Sequence, residues 1–271
     1  MAELTTLEDA GVAPSLNAVR WTGFVTIIIR EYSRIVRIWG QTLVPSAVTA
    51  ILYFVIFGSL IGRRVGQMGG FDYPQFIAPG LIMMSVITNS YGNSVSSFFG
   101  AKFGKHIEEL LVSPLPNWII VSGYASGGLL RGLMVGGVVT VVSLIFAHLP
   151  VRHLGLVIAA VLLTSMTFSL GGLINAVFAK NFDQVNWIPA FILTPLTYFG
   201  GVFYSVSMLP AWARALSHGN PILYMVNAFR YGFLGVSDVS VPSAFLIMVT
   251  LAVGLFLTAL ILMNRGVGIR E

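Results

Sequence analysis

The sequence predicts an all-α membrane protein with six transmembrane helices, and three observations lead to this fold class. Mean hydropathy is +0.87 and only 9% of residues are charged, whereas about a quarter are charged in soluble domains. Mostly apolar runs of 18 or more residues, the length that marks a membrane span, recur along the chain. These runs are uniformly apolar and do not alternate with polar residues, which favours helices over a transmembrane β-barrel.

The N-terminal region carries two different patterns. Residues 1–16 are polar and acidic and lack the basic-then-apolar pattern of a signal peptide, so we expect a disordered tail there. Residues 17–39 place aromatic and aliphatic side chains on one side of a helix and Arg30, Arg34 and Arg37 on the other. This pattern predicts an amphipathic helix in the membrane interface. Two roles for its basic stripe remain open: contact with lipid phosphates or contact with a partner protein.

Six predicted spans follow, and polar residues are concentrated in the second. Their expected bounds are 41–62, 75–99, 116–147, 155–179, 185–206 and 243–263. A glycine-rich loop at 62–72 separates the first two spans, and a longer loop with apolar pieces occupies 207–242. Nine Lys and Arg residues lie in the ends and even-numbered loops, against five in the opposite loops. This bias favours a cytoplasmic location for both termini.

The loop between spans two and three is unusually charged for this chain. We predict a short amphipathic helix over 102–112, which ends where Pro114 disfavours helical geometry at Ser113. Its apolar face would hold Phe103, Ile107, Leu110 and Leu111. Its polar face would hold Lys102, Lys105, His106, Glu108 and Glu109. Two interpretations remain open: a rigid element that passes a push from a cytosolic partner into the membrane, or a solvated connector.

The sequence offers no catalytic residues. GAKFGKH at 100–106 looks like a phosphate-binding loop, but it has three residues between its glycines and a His where that loop needs Ser or Thr. The chain has no cysteine, and its four histidines are scattered without metal-ligand spacing. Because no basic run is interleaved with aromatics, we also expect no nucleic-acid binding. We therefore predict a chain that binds neither a metal nor a cofactor of its own.

Polar and aromatic side chains within the spans are candidates for a substrate path, because Asn and Tyr are costly in lipid unless they are paired or face an interior. The candidates are Asn89, Tyr91, Asn93, Tyr198 and Tyr204, with aromatic surface from Phe54, Phe57, Phe199 and Phe203. The alternative interpretation is that they pack between helices.

Span three carries a ridge of small residues. Gly128, Gly132 and Gly136 recur every four residues, which predicts close packing against another helix. Arg131 lies beside this ridge, and we see two roles for it: an anchor at the inner leaflet, or a charge that faces the substrate path.

Three stretches taken in order resemble a known family. They are FGKHIEELLVSPLP at 103–116, TPLTYFGGVFYSVSMLP at 194–210 and NPILYMVNAFRYGFLG at 220–235. They resemble the ABC-2 family of membrane subunits of ATP-binding-cassette transporters, particularly its bacterial inner-membrane permeases, and the resemblance covers nearly the whole chain from about residue 20.

The resemblance implies a type V exporter-like fold in which 17–271 form a single transmembrane domain. The segment 102–112 would be the coupling helix, and the interfacial helix would also lie against the ATPase. The loop 207–242 would form re-entrant helices at 208–217 and 221–234 near the outer surface, with a break at Asn220.

The same resemblance implies a half-transporter of the bacterial inner membrane. Two copies of the chain would form the pathway in the lipid, and a separate cytosolic ATPase would bind ATP and Mg²⁺. The expected activity is export of an amphipathic substrate such as a drug, a lipid or a glycan-like molecule. Two alternatives remain: a six-span carrier or channel that needs no ATPase, and a membrane scaffold.

Overall fold

The computed structural model describes residues 15–268, and most of that range is helical. The predicted tail at 1–16 lies outside the described residues except for its last two. Ser15 caps helix α1, because its hydroxyl accepts a hydrogen bond from the backbone N–H of Ala18. Helix α1 spans Leu16–Arg37 and so corresponds to the predicted interfacial helix.

The first long hydrophobic segment is a helix with an irregular second half. Helix α2 (Trp39–Tyr53) continues as a π-helix over Phe54–Ile61 and ends in the short α3 (Gly62–Val65). The predicted glycine-rich loop contains a β-hairpin of β1 (Gln67–Met68) and β2 (Phe71–Asp72). Gly69 and Gly70 have φ values of +61° and +81°, as the two-residue turn of a hairpin requires.

Helix α4 is the central element of the bundle. It spans Tyr73–Phe103 and packs against the next two long helices, α6 (Asn117–Phe146) and α7 (Leu154–Phe178). Between α4 and α6 lies the short helix α5 (His106–Val112). At about 1.5 Å per residue, α4 is roughly 45 Å long and reaches from one end of the bundle to the other.

The fifth hydrophobic segment ends earlier than predicted. It is helical through α8 (Phe182–Ile188), a π-helix (Pro189–Leu193) and α9 (Thr194–Tyr198). The predicted span 185–206 is therefore corrected at its end. Gly201 has a φ of +72° in the turn that follows, a conformation that glycine adopts without strain.

The C-terminal part begins with the short helices expected in the long loop. A 3₁₀ turn at Val206–Met208 leads to α10 (Ala211–His218), α11 (Pro221–Leu234) and the last long helix, α12 (Val241–Arg265). Asn220 caps α11 by accepting from the N–H of Ile222, and Gly235 ends it with a φ of +75°. Whether α10 and α11 re-enter a membrane stays a prediction.

Four helical segments within residues 15–268 are long and apolar enough to cross a membrane. They are Trp39–Gly58, Asn117–Phe146, Leu154–Phe178 and Val241–Arg265. Two of the six predicted spans are outside this set. Helix α4 has 31 residues but many polar side chains, and the helical segment 182–198 is shorter than the roughly 20 residues of a typical span.

Two sets of hydrogen bonds mark one end of the bundle, which we call the α5 end. Lys102, in the last turn of α4, donates to the carbonyl oxygens of Val177 and Ala179 at the end of α7, at 2.8 and 2.9 Å. Asn117, at the start of α6, donates to Asn264 near the end of α12 at 2.7 Å. The opposite end, which holds β1 and β2, is called the hairpin end.

Candidate functional site

Helix α1 has a charged residue, Glu31, on the face that packs against the bundle. Glu31 is 1% exposed. One carboxylate oxygen accepts a hydrogen bond from Ser97 Oγ at 2.6 Å, and the other accepts from Arg34 Nη2 at 2.9 Å. A buried carboxylate needs such partners because removing a charge from water is costly. Sequence reasoning missed Glu31, which lies between the arginines of the predicted basic stripe.

Two of the three arginines in that stripe bind the bundle. Arg34 Nη2 also donates to Oδ1 of Asn93 in α4 at 2.8 Å. Arg30 Nη2 donates to the hydroxyl of the buried Tyr124 in α6 at 2.6 Å. The side chain of Arg37 is exposed. Much of the positive charge of α1 therefore fastens the helix to α4 and α6.

Glycines in α6 allow α1 to approach closely. A Cβ added at Gly127 would lie 2.6 Å from Oε2 of Glu31, and one added at Gly123 would lie 2.6 Å from Cγ2 of Ile27. The buried residues Ile27, Glu31 and Ile35 are four residues apart and form the stripe that faces α6. The buried residues of α1 and the glycines of α6 both recur every four residues, and this spacing in the sequence could have predicted that the two helices pack closely.

The short charged helix begins later than predicted. It starts at His106 and not at residue 102, because Gly104 and Lys105 form a tight turn after α4. Lys105 has a φ of +60°, which is uncommon for a residue with a side chain. Lys102 remains in α4 and binds the end of α7, so it does not share a face with Glu108 and Glu109.

Helix α5 is anchored on one side and open on the other. Ile107 is 2% exposed and belongs to the hydrophobic core, with Leu110 and Leu111 packed beside it. The exposed polar residues are Lys105, His106, Glu108 and Glu109. Phe103 was expected on the inner face, but it is 65% exposed, and Val112 is 87% exposed. The open side of α5 therefore presents charged and apolar side chains together.

A cleft of about 600 Å³ separates α5 from α1, and we call it the α5 cleft. Its walls include Arg30, Glu31, Arg34, Ser96, Ser97, His106, Glu109 and Leu110. The buried cluster around Glu31 therefore faces this cleft, with α5 on its other side.

Four aromatic side chains form a cluster between the first and fifth hydrophobic segments. Phe203 is at its centre, with ring centroids 4.6 Å from Phe57, 5.6 Å from Tyr53 and 5.8 Å from Tyr198. The hydroxyls of Tyr53 and Tyr198 lie 3.4 Å apart. Three of these residues were predicted path candidates. Tyr53 was missed, although it lies four residues before Phe57 on the same helix face.

A second cavity, of about 210 Å³, adjoins this cluster through Tyr53. It lies between α2 and α4 and is lined by Asn89 together with the hydroxyl side chains Ser46, Thr49, Ser85 and Thr88. We call the aromatic cluster and this cavity the aromatic groove. It combines ring surfaces with several hydrogen-bonding groups.

The remaining path candidates lie elsewhere. Phe54 is 1% exposed and stacks on Phe146, and Tyr91 is 4% exposed within the core. Asn93 is fully buried and binds Arg34. Tyr204 is half-buried and packs against the core, and Phe199 is exposed beyond the end of α9. The structure thus brings only part of the predicted path together.

The glycine ridge of α6 packs as predicted. A Cβ at Gly132 would collide with Oγ of Ser90, and one at Gly128 would collide with the hydroxyls of Ser94 and Ser169. Serine hydroxyls from α4 and α7 therefore occupy the space that the glycines leave. Arg131 is half-buried beside this ridge, and within residues 15–268 its Nε has no hydrogen-bond partner. Both interpretations of Arg131 remain open.

The described residues show neither a metal-binding group nor a phosphate loop. Within residues 15–268, no three His, Asp or Glu side chains are close enough together to hold a metal ion. Residues 100–103 form the last turn of α4, so GAKFGKH is a helix end followed by a turn and does not form a nucleotide cradle.

Comparison with known proteins identifies the family. The ABC-2 type transporter family matches residues 22–234. The chain belongs to this family. It is 53% identical over 251 residues to the inner membrane transport permease YadH of Escherichia coli K12, covering 93% of this chain and 98% of YadH. It is 23% identical over 186 residues to nodulation protein J of Rhizobium leguminosarum bv. trifolii, covering 68% and 71% of the two chains.

Family membership makes this chain a membrane transporter subunit and implies association with an ABC ATPase. A second nodulation protein J, from Neorhizobium galegae, is 22% identical over 214 residues and covers 78% of this chain and 81% of its own. The similarity to ABC-2 permeases that was seen in three sequence stretches is therefore confirmed over most of the chain.

Proposed function

We propose that this chain is the transmembrane subunit of a bacterial ABC exporter, in which two copies form the pathway and a separate cytosolic ATPase drives transport. The observation that carries this proposal is helix α5. It presents Glu108 and Glu109 outward while Ile107 holds it in the core at the end of α4. A short charged helix fixed at the end of a long central helix is suited to receiving a push from a soluble partner.

The surroundings of α5 support its role as the coupling helix. Leu115, in the linker after α5, packs on Gly23 of α1, where an added Cβ would be only 2.4 Å from a leucine methyl carbon. A partner docked on α5 would therefore also meet α1, the predicted second contact with the ATPase. Lys102 fastens the end of α4 to α7, so that motion of α5 is passed to two central helices at once.

The arrangement of helix ends supports six crossings and cytoplasmic termini. The ends of α4, α7 and α12 and the start of α6 all lie at the α5 end. Helices α4, α7 and α12 therefore run toward this end and α6 runs away from it, so a further crossing away from the α5 end is needed between α7 and α12. Helix α4 can cross despite its polarity because it turns Ser94 toward α7 and Asn93 toward Arg34. We propose the helical segment 182–198, between α7 and α12, as the fifth of the six crossings.

The aromatic groove supports an amphipathic substrate. Its rings offer apolar surface, and its hydroxyl and amide groups offer hydrogen bonds. Large apolar side chains flank it on exposed helix faces, including Leu52 at 54% and Phe191 at 67% exposure. A second copy of the chain would cover these faces and enclose the groove, which is why we propose a homodimer.

The name of the most extensively matched relative reported above agrees with this proposal at the level of transport. YadH is described as an inner membrane transport permease, and we place this chain in the bacterial inner membrane by that similarity. Export, the drug-, lipid- or glycan-like nature of the substrate, and ATP with Mg²⁺ bound on the partner subunit are parts of the proposal.

A pull-down with ATPase measurement tests the proposal. The tagged chain is extracted from its native membrane in a mild detergent, and the eluate is assayed for hydrolysis. We expect a stoichiometric soluble partner with vanadate-sensitive ATPase activity, together with two copies of this chain. A homo-oligomer that retains transport activity without any ATPase would instead identify a carrier, and one without transport activity would identify a scaffold.

A further inference from the structure

A polar cavity lies at the hairpin end, far from the α5 cleft. It has a volume of about 420 Å³ and is lined by Gln67, Ser205, Ser207, Asn227, Arg230 and Asp238 among others. Gln67 and Ser207 are exposed, so the cavity opens to the surface there. Phe76 of α4 forms another part of its wall. About 27 residues of α4, or roughly 40 Å, separate this wall from the end of the helix.

Arg230 contributes a buried positive charge to the wall of this cavity. The side chain lies in α11 and is 1% exposed. Its Nε donates to the carbonyl oxygen of Phe76 at 3.3 Å, its Nη2 donates to that of Gly201 at 2.6 Å, and its Cζ lies 4.0 Å from the centre of the Phe76 ring. These contacts fix the plane of the guanidinium. Sequence reasoning counted Arg230 among the charges of the loop 207–242 and did not predict its burial.

One nitrogen of the Arg230 guanidinium has no hydrogen-bond partner among the described residues. Within residues 15–268, Nη1 of Arg230 is buried and has no hydrogen-bond partner. Buried charged groups are normally paired, because an unpartnered donor loses its hydration without compensation. The carbonyl oxygens that bind Nε and Nη2 are neutral, so they do not compensate the positive charge.

The carboxylate of Asp238 does not pair with Arg230. One of its oxygens accepts from Ser205 Oγ at 2.5 Å, and the other accepts from the N–H of Val206 at 3.0 Å. The N–H of Asp238 in turn donates to Oδ1 of Asn227 at 2.9 Å. Asp238 therefore holds the loop around Ser205 in place, and it balances the charge of Arg230 only at a distance. A ligand with a single negative charge suits such a site better than a doubly charged one.

We propose that this cavity is a binding site for a monoanionic oxyanion, such as a phosphodiester or a carboxylate, with Nη1 of Arg230 as its principal donor. Ser207 lies at the mouth of the cavity, where its hydroxyl donates to Ser205 Oγ at 2.7 Å because the hydrogen of Ser205 is used on Asp238. Two sources have this chemistry: the headgroup of a phospholipid and a small free anion. The site requires neither the ATPase nor the aromatic groove, so its failure and that of the proposed function are distinguishable.

Calorimetric titration of the purified full-length protein in a neutral detergent tests the site. The probes are dihexanoyl phosphatidylglycerol, which carries one phosphodiester, inorganic phosphate, and the uncharged dihexanoylglycerol as the control. We expect saturable binding of at least one charged probe and none of the control. Binding of the phospholipid alone would identify a headgroup site, and binding of phosphate would identify a site for free anions.

Two exposed positions allow a test that leaves Arg230 and its packing intact. Gln67→Lys and Gln67→Glu add opposite charges at the cavity wall, and we expect about three- to tenfold tighter and weaker binding respectively. Ser207→Trp should fill the mouth and lower affinity at least tenfold. Arg230→Met should abolish binding where the variant still folds. The absence of binding by both charged probes, or binding that the Gln67 and Ser207 variants leave unchanged, would overturn the proposal.

Discussion

Arg34 of α1 and Asn93 of α4 are joined by a hydrogen bond of 2.8 Å. The same guanidinium binds the buried carboxylate of Glu31, so one arginine connects the interfacial helix to the centre of the bundle. This small network lies against the α5 cleft. In the proposed transporter, the partner ATPase would bind next to this contact between α1 and α4.

Replacing Glu31 should destabilise the protein. Removing one partner of a fully buried ion pair costs about 3–5 kcal/mol, but the Arg34 side chain is 31% exposed, so we expect about 1–3 kcal/mol for Glu31→Ala. Glu31→Gln should lose less, because the amide oxygen can still accept from Ser97. Thermal unfolding in detergent measures both. Arg37→Ala removes an exposed charge from the same helix and should change the melting temperature little.

Charge reversal on α5 should separate ATPase binding from membrane insertion. The double variant Glu108→Lys and Glu109→Lys changes two exposed side chains, so folding and insertion should be retained. Association with the ATPase should fall at least tenfold in the pull-down. Arg64→Glu, an exposed reversal at the hairpin end, is the control. Normal recovery of the ATPase by the double variant would disprove the coupling role of α5.

Cysteine labelling should establish the direction of the bundle, since the chain has no cysteine of its own. Ala215 in α10 is exposed, whereas Ser217 two residues later is fully buried, so Ala215 is the position chosen for the cysteine. An impermeant maleimide should label Ala215→Cys in spheroplasts, with the outer membrane removed. Lys105→Cys should be labelled only after permeabilisation. Labelling of Lys105→Cys from outside, with Ala215→Cys labelled only after permeabilisation, would show the opposite orientation in the membrane.

Two glycines of α6 form a matched pair for testing the packing ridge. A Cβ at Gly132 would collide with Ser90 Oγ, whereas Gly137 has nothing within 4 Å. Gly132→Ala should destabilise by about 1–3 kcal/mol through overpacking. Gly137→Ala should be neutral or stabilise by up to about 1 kcal/mol, because alanine favours the helix. Equal unfolding temperatures for the two variants would contradict the close packing.

The aromatic groove should affect substrate handling and leave partner binding unchanged. Tyr198→Ala removes one ring from the cluster around Phe203 and, with 43% exposure, should tolerate replacement. We expect several-fold lower transport or substrate-stimulated ATPase activity with normal recovery of the ATPase. Leu246→Ala, an exposed apolar change in α12, serves as the control. An effect of equal size in both variants would argue against the groove.

Local signals predicted some elements closely. Asn220 and Pro221 begin α11 and Gly235 ends it, because each residue has a strong preference for a helix terminus. The start of α5 was wrong since Lys105 adopts a left-handed conformation, which its residue type does not signal.

Burial in tertiary contacts was harder to predict. Glu31 and Arg230 look like ordinary surface charges in the sequence, and only neighbours distant in the chain bury them. The aromatic groove was half predicted, because Phe57 and Phe203 were recognised while the pairing of their two segments needed the structure.

Within residues 15–268, π-helical stretches at Phe54–Ile61 and Pro189–Leu193 occur in the two segments that flank the aromatic groove. A π-helix fits an extra residue into a turn, and such turns recur at functional sites. Each flank can therefore gain or lose a fraction of a turn by rewinding, which would rotate its aromatic rings while α4, α6 and α7 stay in place. In the proposed transporter, such rewinding would widen and narrow the groove around substrates of different size without any repacking of the centre.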